Sequence, residues 1–200
     1  MALWWAQAVL LASWWVVWGG FGDRVLEQAG LHRWQVLAGV GLIWLVGWTH
    51  VVLVRSWGPL DGGFVLLGTG GALLLLGARR RGLTLGWIGL GLLATLVRGV
   101  VPVEPGHATL MPWLVAEAIL LGLAAAVVAL DAVPAAAVAA AASVFAGIAR
   151  LGLAPGVSAR HEGDWLFSVL ACLTAFAAGW ILARMLGLRP SPVNRPSRIG

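Results

Sequence analysis

LMPWLVAEAILLGLAAAVVAL, residues 110–130, decides how the rest of the chain is read. One acid, Glu117, interrupts 21 otherwise uncharged residues. As a helix at about 1.5 Å per residue this stretch is about 31 Å long, matching a hydrocarbon core of about 30 Å. It lacks the period-2 alternation of an outer-membrane barrel strand. Similar apolar runs recur on both sides. The segmentation predicts an all-α, polytopic membrane bundle with helices at about 3–21, 34–54, 63–78, 83–101, 111–130, 133–151 and 165–186. Residues 1–188 then form a single transmembrane domain, and 189–200, rich in proline and arginine, a disordered cytoplasmic tail.

Composition supports this assignment. Hydrophobic residues make up 60% of the chain and charged residues 10%, with a mean hydropathy of +0.93. A soluble domain carries about a quarter charged residues, so too little polar surface is present to dissolve a globule. All 13 basic residues are arginine, and the net charge is +5. The arginines are spread over loops and tail, which suits anionic lipid headgroups and not nucleic acid. A single cysteine, Cys172, excludes an internal disulfide and a cysteine-based metal site. No cofactor is expected. Met1-Ala2-Leu3-Trp4-Trp5 has no basic lead-in and no small-residue cleavage site follows, so the first run reads as a retained helix.

The first span carries Trp4, Trp5, Trp14, Trp15 and Trp18; indole rings favour the headgroup boundary. A polar link over 23–33 suits two short amphipathic turns on the membrane surface. Arg55-Ser56-Trp57-Gly58-Pro59 predicts a turn, and Asp61-Gly62-Gly63 opens the third span. The fourth span holds Gly86, Gly89, Gly91 and Gly99, which predicts a central, closely packed helix. Pro112 suits the first turn of the fifth span and Asp131 the N-cap of the sixth. The sixth is nearly all alanine over 135–142. Alanine gains little from lipid, and without this span six helices remain. No internal repeat supports an inverted-repeat transporter.

Seven spans put the termini on opposite sides. Nine arginines (24, 33, 79, 80, 81, 184, 189, 195, 198) fall on the C-terminal side and four (55, 98, 150, 160) on the other. The positive-inside rule then makes the C-terminus cytoplasmic and the N-terminus external.

This topology gathers His50, Glu104, His107, His161, Glu162 and Asp164 at the outer side. Histidines with carboxylates bind divalent metals such as zinc. Here no pair shows a diagnostic spacing, and His50, His107, His161, Glu162 and Asp164 are expected to be solvated loop residues. Glu117 differs: an intramembrane carboxylate faces the bundle interior and finds a partner. Arg98 and Arg150 lie at similar depth, so a Glu117–Arg98 or Glu117–Arg150 pair is expected, either fixing helix order or forming a proton or substrate site. Arg79-Arg80-Arg81 reads as a topology anchor. Gly68-Thr69-Gly70-Gly71 lacks the Gly-Lys-Ser/Thr ending of a phosphate loop. No Ser-His-Asp, His-Glu-x-x-His or paired-carboxylate pattern occurs.

The Trp-rich first helix, the length near 200, the Pro102-Val103-Glu104-Pro105-Gly106-His107 loop before Met111-Pro112-Trp113, and the Glu162-Gly163-Asp164 lead-in to a last long helix form a recognisable layout. In this layout the chain resembles the YphA-like membrane proteins of spore-forming Gram-positive bacteria. The resemblance covers most of the chain. It implies a multi-pass protein of the bacterial plasma membrane and supplies no catalytic residues. The expected role is a non-enzymatic structural or interaction subunit, with lipid and a second copy or another membrane protein as partners. One alternative is a transporter or channel component using Glu117, Arg98 and Arg150. The other is a membrane-embedded enzyme on lipid or envelope precursors, which requires His107, His161 and Glu117 to converge.

Overall fold

Among the described residues the fold is all-helical apart from one short strand pair. The computed structural model describes residues 2–20, 23–28, 31–51, 60–77, 81–100, 107–153 and 161–188. The helices are α1 (Ala2–Trp18), α2 (Asp23–Gln28), α3 (Arg33–Val46), α4 (Gly62–Gly77), α5 (Arg81–Val100), α6 (His107–Ala129), α7 (Ala132–Leu153) and α8 (His161–Met185). Between α3 and α4, β1 (His50–Val51) and β2 (Leu60–Asp61) pair antiparallel, with His50 opposite Asp61.

α7, the alanine-rich helix, is the centre of the bundle. It packs against α4, α5, α6 and α8. Ala135, Val138, Ala139 and Ala142 are fully buried. Small side chains allow this, because in lipid helices associate by close van der Waals packing and not by a hydrophobic drive. Glycines on neighbouring helices complete the fit. A Cβ on Gly71 of α4 would lie 2.8 Å from the Ala137 carbonyl oxygen and 2.9 Å from Ala140 Cβ. On the far side α8 packs against α7, α6 and α1, and Trp165 and Phe167 near its start are buried.

Among the described residues three helices are long and apolar enough to cross a membrane: Pro112–Ala129, Ala132–Ala149 and Asp164–Met185. The alanine-rich span is among them, with a mean hydropathy of 2.0. It is also the most enclosed: 67% of that window is buried, against 33% and 44% for the other two. Arg33–Val46, Gly62–Leu76 and Leu85–Val97 are shorter apolar helices.

The structure corrects several sequence expectations. The fourth span, now α5, is peripheral and not central. One face meets α7, where Trp87 stacks edge-on against Phe145 at 6.0 Å, while Leu85, Leu92, Leu93 and Leu96 are exposed on the other. The second span ends as a helix at Val46 and not near 54. Gly47 N–H donates to the Ile43 carbonyl (2.9 Å), Thr49 Oγ1 donates to the Val46 carbonyl (2.7 Å), and the chain turns into β1. In the polar link, α2 (Asp23–Gln28) forms a helix of nearly two turns. His107, His161, Glu162 and Asp164, expected in loops, lie inside the first turns of α6 and α8. Because α6 begins at His107, Pro112 sits within the helix, past the first turn. The turn at 55–59, the triplet at Arg79 and Arg80, Glu104 and the tail at 189–200 lie outside the described residues.

Candidate functional site

Glu117 lies on α6, ten residues past its first residue, and is half-buried. It stands in a groove between α5 and α6 with Phe167 of α8 at the base. Leu90, Leu93, Ala94 and Val97 form one wall; Glu117, Leu120, Leu121 and Ala124 form the other. Both sets follow the i, i+3, i+4, i+7 spacing of one helix face. The cavity has a volume of about 200 Å³ and eight of its nine lining residues are apolar. Leu93, Val97 and Leu120 at its rim are exposed, so the groove opens to the outside of the bundle.

The register between the two walls is fixed by Gly86, whose Cβ position would lie 2.6 Å from Val128 Cγ1. The helices are antiparallel, so stepping eleven residues along each brings Val97 level with Glu117. Position 98 on the α5 backbone is therefore near the level of position 117. The side chains of Arg98 and Arg150 lie outside the described residues.

A second polar group gathers at the end of the bundle holding the start of α1, β1, β2 and the starts of α4 and α8. Gln7, Asp61 and Asp164 are 3%, 6% and 4% exposed. Ser168 Oγ donates to the Asp164 carbonyl at 2.9 Å. Gln7 Nε2 packs against Gly47, and Gly63 in turn packs against the backbone of Gly47 and the Trp165 ring. Asp164, expected to be solvated, is buried because α8 starts at His161 and carries it against the bundle. Gln7 was missed by sequence reasoning. The signal available was a lone amide in an apolar, Trp-rich run. In the sequence Asp61 reads only as the opening of a span, since its burial depends on the β2–α8 contact.

Of the expected metal set His50, His107, His161, Glu162 and Asp164, only the Asp164 side chain is described. Among the described residues no three His, Cys, Asp or Glu side chains come together to hold a metal. Convergence of His107, His161 and Glu117 falls outside the described residues for the two histidines. No protein-family model, curated protein or solved structure matches the chain.

Proposed function

We propose that the chain is a seven-span plasma-membrane protein of bacteria, a non-enzymatic interaction subunit that holds the aliphatic chain of a membrane lipid in the α5–α6 groove. The lining of this groove carries the reading: eight apolar side chains and one carboxylate, open towards a bundle surface of leucines. Leu73, Leu74, Leu76, Leu85, Leu92, Leu96, Leu120 and Val127 are all at least half exposed. Soluble monomers keep contiguous apolar patches to a few hundred Å². Such a surface suits hydrocarbon, and a groove continuous with it suits an acyl chain. Glu117 gives the groove one polar end. The N-terminus is external and the C-terminus cytoplasmic in this reading, from the arginine bias. A path for a hydrated solute through Glu117, Arg98 and Arg150 fits the groove less well, because its walls offer water little to bond.

Native mass spectrometry of the detergent-purified protein tests the reading. Wild type should retain phospholipid at activation energies that strip detergent. The double variant Ala94→Leu, Ala124→Leu fills the groove and should lose at least tenfold of that adduct with its melting temperature little changed. Glu117→Gln should keep the adduct but alter which headgroups are retained. Undiminished adducts in a folded, groove-filled variant would sink the proposal.

A further inference from the structure

Two buried polar groups stand without partners among the described residues where α1 and α8 begin. Gln7 of α1 is 3% exposed, and neither its Oε1 nor its Nε2 makes a hydrogen bond. Trp165 of α8 is fully buried, and its Nε1–H has no acceptor. A buried donor or acceptor left unmet is costly, and the great majority of such groups are met by protein or by ordered water.

The two groups are joined by glycine backbone. Gln7 Nε2 touches Gly47, at the end of α3. A Cβ on Gly63, near the start of α4, would lie 2.9 Å from Gly47 Cα and 2.8 Å from Trp165 Cζ2. Cζ2 is two bonds from Nε1, so the indole N–H lies beside this contact. Asp61, also buried, is two residues before Gly63 on β2, which packs against α8.

The chemistry of the pair selects its ligand. Gln7 and Trp165 together offer three N–H bonds and one carbonyl oxygen. A bare cation suits the oxygen but is repelled by the N–H dipoles. An anion suits the N–H groups but meets the buried carboxyl groups of Asp61 and Asp164 at this end. Water both donates and accepts, and is held in protein interiors by about two to four polar partners. It is also close to hand. Gln7 lies about 4.5 Å along α1 from Trp4, whose ring meets Trp48, the residue after Gly47, edge-on at 5.1 Å. Indole rings favour the headgroup boundary, where a bilayer is wet.

We infer that one or two ordered water molecules are held between Gln7 and Trp165, bridging α1 to α8 beside Gly47 and Gly63. Gln7 binds the water through its amide and Trp165 donates its indole N–H to it. The bridge completes the seat of α1, which packs only on α3 and α8 among the long helices. The inference is independent of the α5–α6 groove.

Nuclear magnetic resonance on the detergent-purified full chain, labelled with 15N-tryptophan, tests it. Asp164-Trp165 is the only Asp-Trp pair in the sequence, so added 13C-carbonyl aspartate identifies Trp165 among the 13 tryptophans without a mutation. Its indole proton should show a cross-peak to water of opposite sign in NOESY and ROESY spectra, the mark of a bound water and not of proton exchange. In Gln7→Met, of similar length but without N–H or carbonyl groups, that cross-peak should fall at least threefold. The melting temperature should drop by about 2–4 °C, the size expected for one lost buried hydrogen bond. An orphaned amide would do the reverse, with Met raising the melting temperature. That rise, or a water cross-peak that Gln7→Met leaves unchanged, would overturn the site. A drop in stability with no water cross-peak in wild type would also overturn it, since Gln7 would then bond directly to protein.

Discussion

At the scale of single residues, Leu130 is the clearest strained position. It joins α6 to α7 with φ at +53°, a conformation that costs L-residues about 1–2 kcal/mol. The connection is too short for any other geometry: Leu130 N–H closes α6 on the Ala126 carbonyl at 2.8 Å, and Ala135 N–H already reaches back to Asp131 at 3.0 Å. Leu130→Gly should relieve the strain and raise stability by about 1 kcal/mol. Leu130→Val, β-branched, should lower it. Thermal denaturation in detergent should therefore rank Gly above Leu above Val; Val matching or exceeding Leu would remove the strain argument. Nothing in the sequence announces Leu130, because its φ is imposed by two helices meeting across two residues, Leu130 and Asp131. Glu117 is the opposite case. A lone acid in an apolar run is conspicuous in the sequence itself, although its apolar neighbours on α5 and α8 are not.

For whole elements, adjacent glycines in α4 give a sharp test of close packing. Gly71 faces α7, where a side chain would meet the Ala137 carbonyl and Ala140; Gly70 has nothing within 4 Å of its Cβ position. Gly71→Leu should push α4 off α7 and destabilise by at least the roughly 1–3 kcal/mol typical of overpacking. Gly70→Leu should be near neutral. Comparable losses at both positions would mean that α4 is not seated on α7 by this face. Glycine content alone misleads for α5. Gly86 and Gly91 meet Val128 and Phe145, but Gly89 faces open space and leucines cover the outer side, so a helix that looks closely packed by composition ends at the edge. Span ends are similarly hard to read. The apolar run Val51-Val52-Leu53-Val54 continues the hydropathy of α3 past Val46, whereas the helix stops because Thr49 takes the last carbonyl and β1 pairs with a segment ten residues away. The long helical stretches themselves are legible, since roughly 20-residue apolar runs leave few other folds open.

For the whole molecule, the direction of each helix follows from its contacts. α1 and α8 run in step, α1 opposes α3, and α5 opposes α6, so the starts of α1, α4, α6 and α8 share one end of the bundle. That end also carries Gln7, Asp61 and Asp164. The opposite end carries Asp23, Arg24, Arg33 and Arg184. If every long helix crosses, the count is odd and the termini are separated by the bilayer; if α7 stayed at the surface, they would share a side. The burial of α7 between four neighbours favours the crossing. In a Cys172→Ala background, cysteine at Ala2 should react with an impermeant maleimide on intact cells, and cysteine at Leu188 only after permeabilisation. Labelling of both sites on intact cells, or of neither, would make the number of crossings even and sink the seven-span reading. Reversed labelling would preserve the count but refute the orientation. The arginine asymmetry would then have failed as a guide.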